Sequence, residues 1–235
     1  MDSIHKNDFF KLPFEFDAVR LQQDLETCLS LNWKQHFNQK DFSGDWSGIA
    51  LRSSTGNEAD ILAHPGSGFK DTPLLDACSY YREIISSFHC ETETIRLLRL
   101  APGSVINEHR DRGAGYQFGN FRIHIIVRTN EEVSFIVNGT NLPMKSGECW
   151  YADFDRPHSV NNTGKSDRVH LIIDCVRNAW SDELFGRAGY DFSLEKKGPD
   201  EETFLRIIQE LEHANTETSR KLILKMQNER NANRT

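Results

Sequence analysis

Residues 94–111 have the sequence TIRLLRLAPGSVINEHRD, and this stretch decides the fold that we predict. Two runs of mostly aliphatic residues, 94–100 and 104–109, are separated by the pair Pro102-Gly103. Short runs of this kind, bounded by proline and glycine, are typical of neighbouring β-strands. The stretch therefore predicts two consecutive strands joined by a tight turn, and the second of them ends at His109.

The same alternation of short β-branched runs and turn residues continues as far as residue 176. It predicts five more strands, at 121–128, 133–138, 148–153, 158–162 and 168–176. Turn signals such as Asn138-Gly139 and Ser146-Gly147 separate them. Many short strands with this regular spacing are typical of an antiparallel sandwich or barrel, so we predict a mainly β fold.

The two flanks of this core have helical patterns. Asp17 can cap a helix whose leucines recur every four residues, and residues 74–88 have one apolar face. A short strand is expected at 48–52. After residue 180 the chain is polar and helical, with an apolar stripe formed by Phe204, Ile207, Ile208 and Leu211. We expect one domain over 1–180, with its core at 94–176, and a helical C-terminal extension over 181–235 that covers the barrel or forms a homodimer contact.

Composition excludes several classes of protein. The 235 residues carry a formal net charge of −7, which argues against a nucleic-acid binder because phosphate contacts need an excess of Lys and Arg. No apolar run approaches the ~20 residues needed to span a bilayer, and residues 1–10 lack the pattern of a signal peptide. Five cysteines without a Cys-x-x-Cys spacing fit a reducing compartment. We expect a cytoplasmic protein that uses neither nucleic acid nor a membrane.

The motif His109-Arg110-Asp111, followed later by His158, carries the chemistry. Residues two apart on a strand point to the same side, so His109 and Asp111 can reach one ion together. Two histidines and one carboxylate leave positions of the ion open, which is the ligand set of non-haem Fe(II) oxygenases. Zn²⁺ in the same ligands is the alternative metal. The alternative without a metal is an exposed strand-end pair and a surface histidine.

Two basic segments accompany these residues. Arg168 follows a predicted hairpin connection, so it can return beside His158, where a guanidinium would grip a carboxylate through two hydrogen bonds. In the strand 121–128, Arg122 and His124 share one face while the opposite face is apolar. This pattern indicates a strand that lines a ligand cavity. An interior pair held by salt bridges or hydrogen bonds is the alternative for Arg122 and His124.

Together these segments resemble the aspartyl/asparaginyl β-hydroxylase family and, in the same way, the bacterial free proline hydroxylases. The resemblance rests on an ordered set of motifs: Ala101-Pro102-Gly103, His109-Arg110-Asp111, Arg122-Ile123-His124, Gly147-Glu148-Cys149-Trp150, His158 and Arg168. It implies a double-stranded β-helix, that is, a cupin-like jelly roll, with Fe(II) and 2-oxoglutarate as cosubstrate. It also implies that Arg168 takes the far carboxylate of 2-oxoglutarate and that Arg122 and His124 line the cosubstrate or substrate pocket.

The function that the resemblance implies is a dioxygenase that hydroxylates an unactivated C–H bond of an amino acid, free or in a peptide, with dioxygen. The glycine-containing loop 112–120 follows the first two metal ligands directly. Arg112 and Tyr116 in this loop are candidates for gripping a substrate carboxylate. Two alternatives stay open: a cupin-type metal enzyme that does not use 2-oxoglutarate, and a non-catalytic β-barrel that binds or senses a ligand.

Overall fold

The computed structural model describes residues 6–63, 68–195 and 201–232. Its strands are β1 (Phe9–Glu15), β2 (Lys34–Gln35), β3 (Phe42–Ser43), β4 (Trp46–Ser53), β5 (Lys70–Asp71), β6 (Thr92–Leu100), β7 (Ser104–His109), β8 (Asn120–Arg128), β9 (Val133–Val137), β10 (Thr140–Asn141), β11 (Glu148–Ala152), β12 (His158–Asn162) and β13 (Arg168–Val176). Its α-helices are α1 (Ala18–Leu29), α2 (Pro73–Ala77), α3 (Ser79–Ser86), α4 (Ala179–Arg187), α5 (Glu201–Ala214) and α6 (Glu217–Ala232). Short 3-10 helices occupy Tyr116–Phe118 and Phe192–Leu194.

The strands form two antiparallel sheets, which confirms the predicted mainly β class. The larger sheet has the order β1-β11-β8-β13-β6-β4-β2, and β5 pairs with β4. The smaller sheet has the order β10-β9-β12-β7-β3. Most neighbouring strands in the two sheets, such as β13 and β6 or β12 and β7, are distant in sequence, as in a jelly roll, so residues far apart along the chain are brought side by side.

The seven strands predicted between residues 94 and 176 are all present, with ends that differ by no more than two residues. The turn between β6 and β7 is the predicted one. Ser104 donates its backbone N–H to the Ala101 carbonyl at 3.2 Å, and Gly103 has φ +73°. Proline followed by a glycine with positive φ is the pattern of a type II turn. The short strand predicted at 48–52 is also present and extends over 46–53.

Strand β1 was not predicted. It lies at the edge of the larger sheet and pairs only with β11, with a break in register between Lys11 and Glu15. Pro13 falls in that break. Because proline cannot donate to a ladder, it is confined to edges and irregular pairs, and here it obscures the strand pattern.

The larger sheet is buried on both faces, which makes β13 buried at every residue except its last. Its outer face packs against helices in one apolar cluster that includes Phe121, Ile123, Ile125 and Val127. Its inner face meets the smaller sheet in a second cluster that includes Leu98, Ile106 and Phe135. The apolar side of β8 therefore serves the helix layer, and its Arg/His side faces the space between the sheets.

The helix expected at 74–88 is broken at Cys78, whose backbone is not helical (φ −111°, ψ 75°). A contact between helices accounts for the break. The Asp24 carboxylate of α1 accepts the Tyr81 backbone N–H at 2.8 Å, in the first turn of α3. A helix start whose backbone N–H groups are hydrogen-bonded by a side chain of another helix cannot be recognised from local periodicity. The N-cap predicted at Asp17 is present, since its side chain accepts the N–H groups of Val19 and Arg20.

The chain divides into two compact units, residues 1–194 and 195–235. The division lies beyond the predicted boundary at residue 180, because α4 belongs to the first unit and buries Leu184 and Phe185 in the helix-layer cluster. In the second unit, α5 and α6 contact each other. Thr216 and Ser219 begin α6 with reciprocal hydrogen bonds of 3.0 Å.

Among the described residues, no helix is both long enough and apolar enough to cross a membrane.

Candidate functional site

The two histidines of the predicted metal site meet across a strand pair. His109 ends β7, His158 begins β12, and the two are register partners whose rings are 4.2 Å apart between centroids. Asp111 follows β7, and its backbone N–H donates to the Phe154 carbonyl at 2.9 Å. The ligand atoms of the three side chains lie within 4.8 Å of one another. The fold thus gathers the predicted set in one place, although the residues come from two strands.

Local hydrogen bonds orient both rings. His109 Nδ1 lies 2.8 Å from the Asn107 carbonyl and His158 Nδ1 lies 3.0 Å from the Arg156 carbonyl. A carbonyl only accepts, so in each ring Nδ1 carries the proton and Nε2 keeps its lone pair. Backbone carbonyls hold metal-ligating imidazoles in this way in many sites.

The electrostatics of His158 favour the neutral ring. Its pKa is lowered to about 4, mainly by burial and also by the nearby His109, although a hydrogen bond to the Arg156 carbonyl opposes the shift. A histidine must be neutral to bind a metal, so His158 is in its binding form at pH 7.

These three side chains line a partly open cavity between the two sheets. Its lining contains His109, Asp111, His158, Arg122, His124 and Arg168 together with six apolar or aromatic residues, Trp46, Leu98, Ile106, Phe135, Phe154 and Val160. All six residues predicted to bind the metal or cosubstrate therefore share one cavity. Polar groups on apolar walls are the usual composition of a small-molecule site.

Arg168 is a buried cation at the inner side of this cavity, only 2% exposed. Its guanidinium carbon lies 5.3 Å from the centroid of the Phe135 ring, and burial lowers its pKa from 12.5 to about 9. In the described part of the chain no carboxylate forms an ion pair with it, and its Nε has no hydrogen-bond partner. Since a buried charge without a counter-ion is unfavourable, this guanidinium is suited to an anionic ligand.

Arg122 has partners on both sides. Its Nε donates to Asp174 at 2.6 Å, and its Nη1 lies 3.4 Å from the Asp111 carboxylate. Arg96 also contacts Asp174, at 2.9 Å. Two guanidiniums therefore share one buried carboxylate beside the metal ligands. The interior salt bridge considered as the alternative for Arg122 is present, and Arg122 lines the cavity as well.

His124 is 5% exposed and stacks on Phe154, with 5.0 Å between ring centroids. Burial and the nearby Arg168 keep its pKa well below 6.5. Its Nδ1 lies 3.1 Å from His170 Nδ1, while its Nε2 has no partner among the residues that the structure describes. A buried ring nitrogen without a partner, on the wall of a cavity, is available to a ligand.

The two predicted substrate residues lie elsewhere. Tyr116 is fully buried in the helix-layer cluster, and its hydroxyl is 2.9 Å from Ser181 Oγ and 2.7 Å from Asp182 Oδ1. This side chain anchors the loop 112–120 to the core and does not line the cavity, so the structure gives it a packing role. Arg112 is exposed directly after Asp111 and is likewise not part of the lining.

The sequence reasoning missed two kinds of residue. The apolar lining, such as Trp46 and Phe154, carries no motif of its own. His170 contacts both Arg168 and His124. Its position two residues after Arg168 on one strand was the available signal, because such residues share a face.

The residues of this site lie within a match to a known protein family. The profile of the family described as aspartyl/asparaginyl β-hydroxylase matches residues 15–178, which is more than half of the chain and includes every residue that lines the cavity. The chain belongs to the aspartyl/asparaginyl β-hydroxylase family. The predicted resemblance is thereby confirmed.

Two curated relatives of this β-hydroxylase family member are named as L-proline hydroxylases. L-proline cis-4-hydroxylase from Rhizobium meliloti (strain 1021) is 28% identical over 174 residues, or 72% of this chain and 61% of the relative. L-proline cis-3-hydroxylase 1 from Streptomyces sp is 25% identical over 177 residues, or 72% of this chain and 60% of the relative. The chain thus spans about three fifths of the length of these relatives.

A solved structure supports the fold. A 2OG-Fe(II) oxygenase family oxidoreductase from Burkholderia pseudomallei has a TM-score of 0.52 at 15% identity, covering 73% of this chain and 86% of that chain. At this identity the likeness shows the fold alone, and it agrees with the predicted double-stranded β-helix.

Proposed function

We propose that this protein is an Fe(II)- and 2-oxoglutarate-dependent dioxygenase that hydroxylates an unactivated C–H bond of a free amino acid. The observation that carries the proposal is that His109, Asp111, His158 and the buried Arg168 line one cavity. Neither the metal set nor the guanidinium alone would specify this chemistry. Together they match a cosubstrate that chelates a metal at one end and has a carboxylate at the other.

The residues present fit Fe(II). Two neutral imidazoles with free Nε2 lone pairs and one carboxylate are the donors of the 2-His-1-carboxylate set, which leaves positions of the ion open. The same residues would also accept Zn²⁺, but a Zn²⁺ site gives the buried Arg168 no ligand to neutralise it. The anion site therefore favours iron with a carboxylate cosubstrate.

When bound, Fe(II) and 2-oxoglutarate would supply the oxidising chemistry: dioxygen is consumed, 2-oxoglutarate becomes succinate and carbon dioxide, and the substrate is hydroxylated. Arg168 would hold the far carboxylate of the cosubstrate through charge-assisted hydrogen bonds, which are the strong kind. His124 adds a ring nitrogen to the wall of the same cavity, where it can accept a hydrogen bond from a donor group of a ligand. The apolar wall formed by Leu98, Ile106 and Phe135 excludes water from the reacting atoms, which strengthens the electrostatic contacts inside.

An amino-acid substrate is supported by the charge at the metal end. Arg96 and Arg122 carry two positive charges and share the single carboxylate of Asp174. Asp174 therefore balances only one of these two charges. Arg122 also reaches Asp111, which would be occupied as a metal ligand. The carboxylate of a free amino acid would complete this arrangement. Arg112, exposed beside Asp111, stays a predicted contact for the same group.

The names of the two proline hydroxylases make L-proline the first compound to test, followed by a panel of free amino acids and short peptides. The assay measures succinate release and a substrate mass gain of one oxygen, with Fe(II) and dioxygen, in the presence and absence of 2-oxoglutarate. We expect both products only when 2-oxoglutarate is added. Metal-dependent turnover without 2-oxoglutarate would favour the cupin-type alternative, and no turnover with any compound would favour the non-catalytic one.

A further inference from the structure

His170 contacts both Arg168, which would hold the cosubstrate carboxylate, and His124, which lines the same cavity. Arg168 Nη2 lies 2.8 Å from His170 Nδ1, and His124 Nδ1 lies 3.1 Å from the same atom. The three side chains come from β13 and β8, which pair in the larger sheet. All three are buried, with 1% exposure for His170, so water cannot take its place.

The chemistry of the three groups fixes the positions of the protons. A guanidinium only donates, so His170 Nδ1 accepts from Arg168 and carries no proton. The contact between the two Nδ1 atoms then requires His124 to donate, so His124 has its proton on Nδ1. Its Nε2 is consequently the nitrogen left for a ligand, and this is the atom that has no partner among the described residues.

We propose that His170 is a positioning residue that aims Arg168 at the far carboxylate of 2-oxoglutarate by accepting a hydrogen bond from its guanidinium at Nδ1. It would touch neither metal nor cosubstrate. It holds one corner of the guanidinium, which leaves Nε for the carboxylate. The same Nδ1 atom accepts from His124, so His124 presents the lone pair of Nε2, a hydrogen-bond acceptor, to the cavity. The inference rests on the proposed function, because that function assigns the carboxylate to Arg168.

The structure predicts how other side chains at position 170 should behave. Leucine has a similar volume but no acceptor, so two buried donors would lose their partner. Asparagine can place a carbonyl oxygen near the position of Nδ1 and accept from both donors. We expect His170→Leu to raise the KM for 2-oxoglutarate about tenfold, with a much smaller change in kcat and in Fe(II) affinity. His170→Asn should return the KM to within about threefold of the wild-type value.

Ile172→Val supplies a matched control. Ile172 is fully buried two residues further on the same face of β13, and it does not line the cavity. Its truncation perturbs packing without removing an acceptor, so the KM for 2-oxoglutarate should not change. Equal KM values in His170→Leu and wild type would overturn the proposal. So would a loss in His170→Leu that Ile172→Val reproduces or that His170→Asn does not restore.

A second measurement does not depend on activity. ¹⁵N chemical shifts of the histidine rings report which nitrogen is protonated, and they can be recorded on the protein without metal or 2-oxoglutarate. We expect an unprotonated Nδ1 in His170 and a protonated Nδ1 in His124, with the His124 proton moving to Nε2 in His170→Leu. The reverse tautomers in the wild-type protein would contradict the positioning role. If these tautomers are found but 2-oxoglutarate does not bind the wild-type protein, the proposed function fails and the hydrogen-bond geometry stands.

Discussion

The two ends of the cavity are built in opposite ways. At the metal end, His109 and His158 are each oriented by a backbone carbonyl two residues earlier in the chain, and Asp111 keeps 39% of its side chain exposed. At the anion end, Arg168 is held by two side chains, His170 of its own strand and Phe135 of β9, and is 2% exposed.

The difference shows where specificity for the cosubstrate arises. At the metal end the two rings are oriented by local contacts once β7 and β12 have paired, and the partial exposure of this end allows ligands to enter. The contacts at the anion end form only when β13 and β8 pair in register, so this end depends on the assembled sheet. Changes at the metal end should therefore abolish metal binding, and changes at the anion end should weaken cosubstrate binding without loss of metal.

The largest effect is expected at the metal end. His158→Ala removes one of three ligands and should abolish Fe(II) binding and turnover, because two remaining donors bind the ion weakly. Fe(II) binding is measured by anaerobic equilibrium dialysis. His89→Ala, an exposed histidine outside the cavity, is the control and should bind Fe(II) normally. Retention of stoichiometric Fe(II) by His158→Ala would remove His158 from the ligand set.

The next effect concerns the buried ion pairs of the larger sheet beside the metal ligands. Asp174→Asn leaves Arg96 and Arg122 buried without their shared carboxylate, so we expect a loss of about 3–5 kcal/mol in the free energy of unfolding. Urea unfolding measures it. Glu83→Gln, which breaks the exposed pair with Arg20, should leave stability unchanged. Similar effects of the two substitutions would show that the buried network adds nothing to stability.

A smaller effect is expected at the anion end. Arg168→Lys keeps a positive charge but loses the planar guanidinium, so the KM for 2-oxoglutarate should rise roughly 30- to 100-fold. Fe(II) affinity should remain within about twofold, because the metal ligands hold themselves in place locally. Arg99→Lys, on the opposite face of neighbouring strand β6, should change neither quantity. Equal loss of iron and cosubstrate binding in Arg168→Lys would mean that the arginine is structural.

The smallest effect concerns pH and the turn before His158. Burial raises the pKa of Asp153 to about 6 in the folded protein, above the ordinary value of 3.8. The folded state therefore binds a proton more tightly, and this contribution to stability is present below pH 3.8 and is lost as pH rises through 6. Relative to wild type, Asp153→Asn should gain about 1–3 kcal/mol in unfolding free energy between pH 4 and 7. A pH-independent difference between the two proteins would contradict the raised pKa.

Much of this architecture was predictable because its signals are local. The turn Pro102-Gly103 and the alternation in the strand 121–128 gave the strands between 94 and 176 almost to the residue. The spacing of His109 and Asp111 was a similar local signal, and a later strand start supplied His158.

What could not be predicted depends on contacts between distant segments. The break at Cys78 needs Asp24 from another helix, and the edge strand β1 is obscured by Pro13. The contacts of His170 need the pairing of β13 with β8. The burial of Tyr116 needs α4, which supplies Ser181. Local sequence patterns carry no information on these distant partners. The sequence therefore did not distinguish the exposed loop residue Arg112 from the buried Tyr116.

Stepwise anaerobic titration of the protein with Fe(II) and then 2-oxoglutarate tests the central claim most directly. A 2-oxo acid that chelates Fe(II) through its keto and carboxylate oxygens gives a visible charge-transfer absorption that neither component gives alone. We predict that this band appears at one equivalent of each, is absent in His158→Ala, and in Arg168→Lys requires a much higher concentration of 2-oxoglutarate. A wild-type protein that binds Fe(II) but never develops the band would contradict the account.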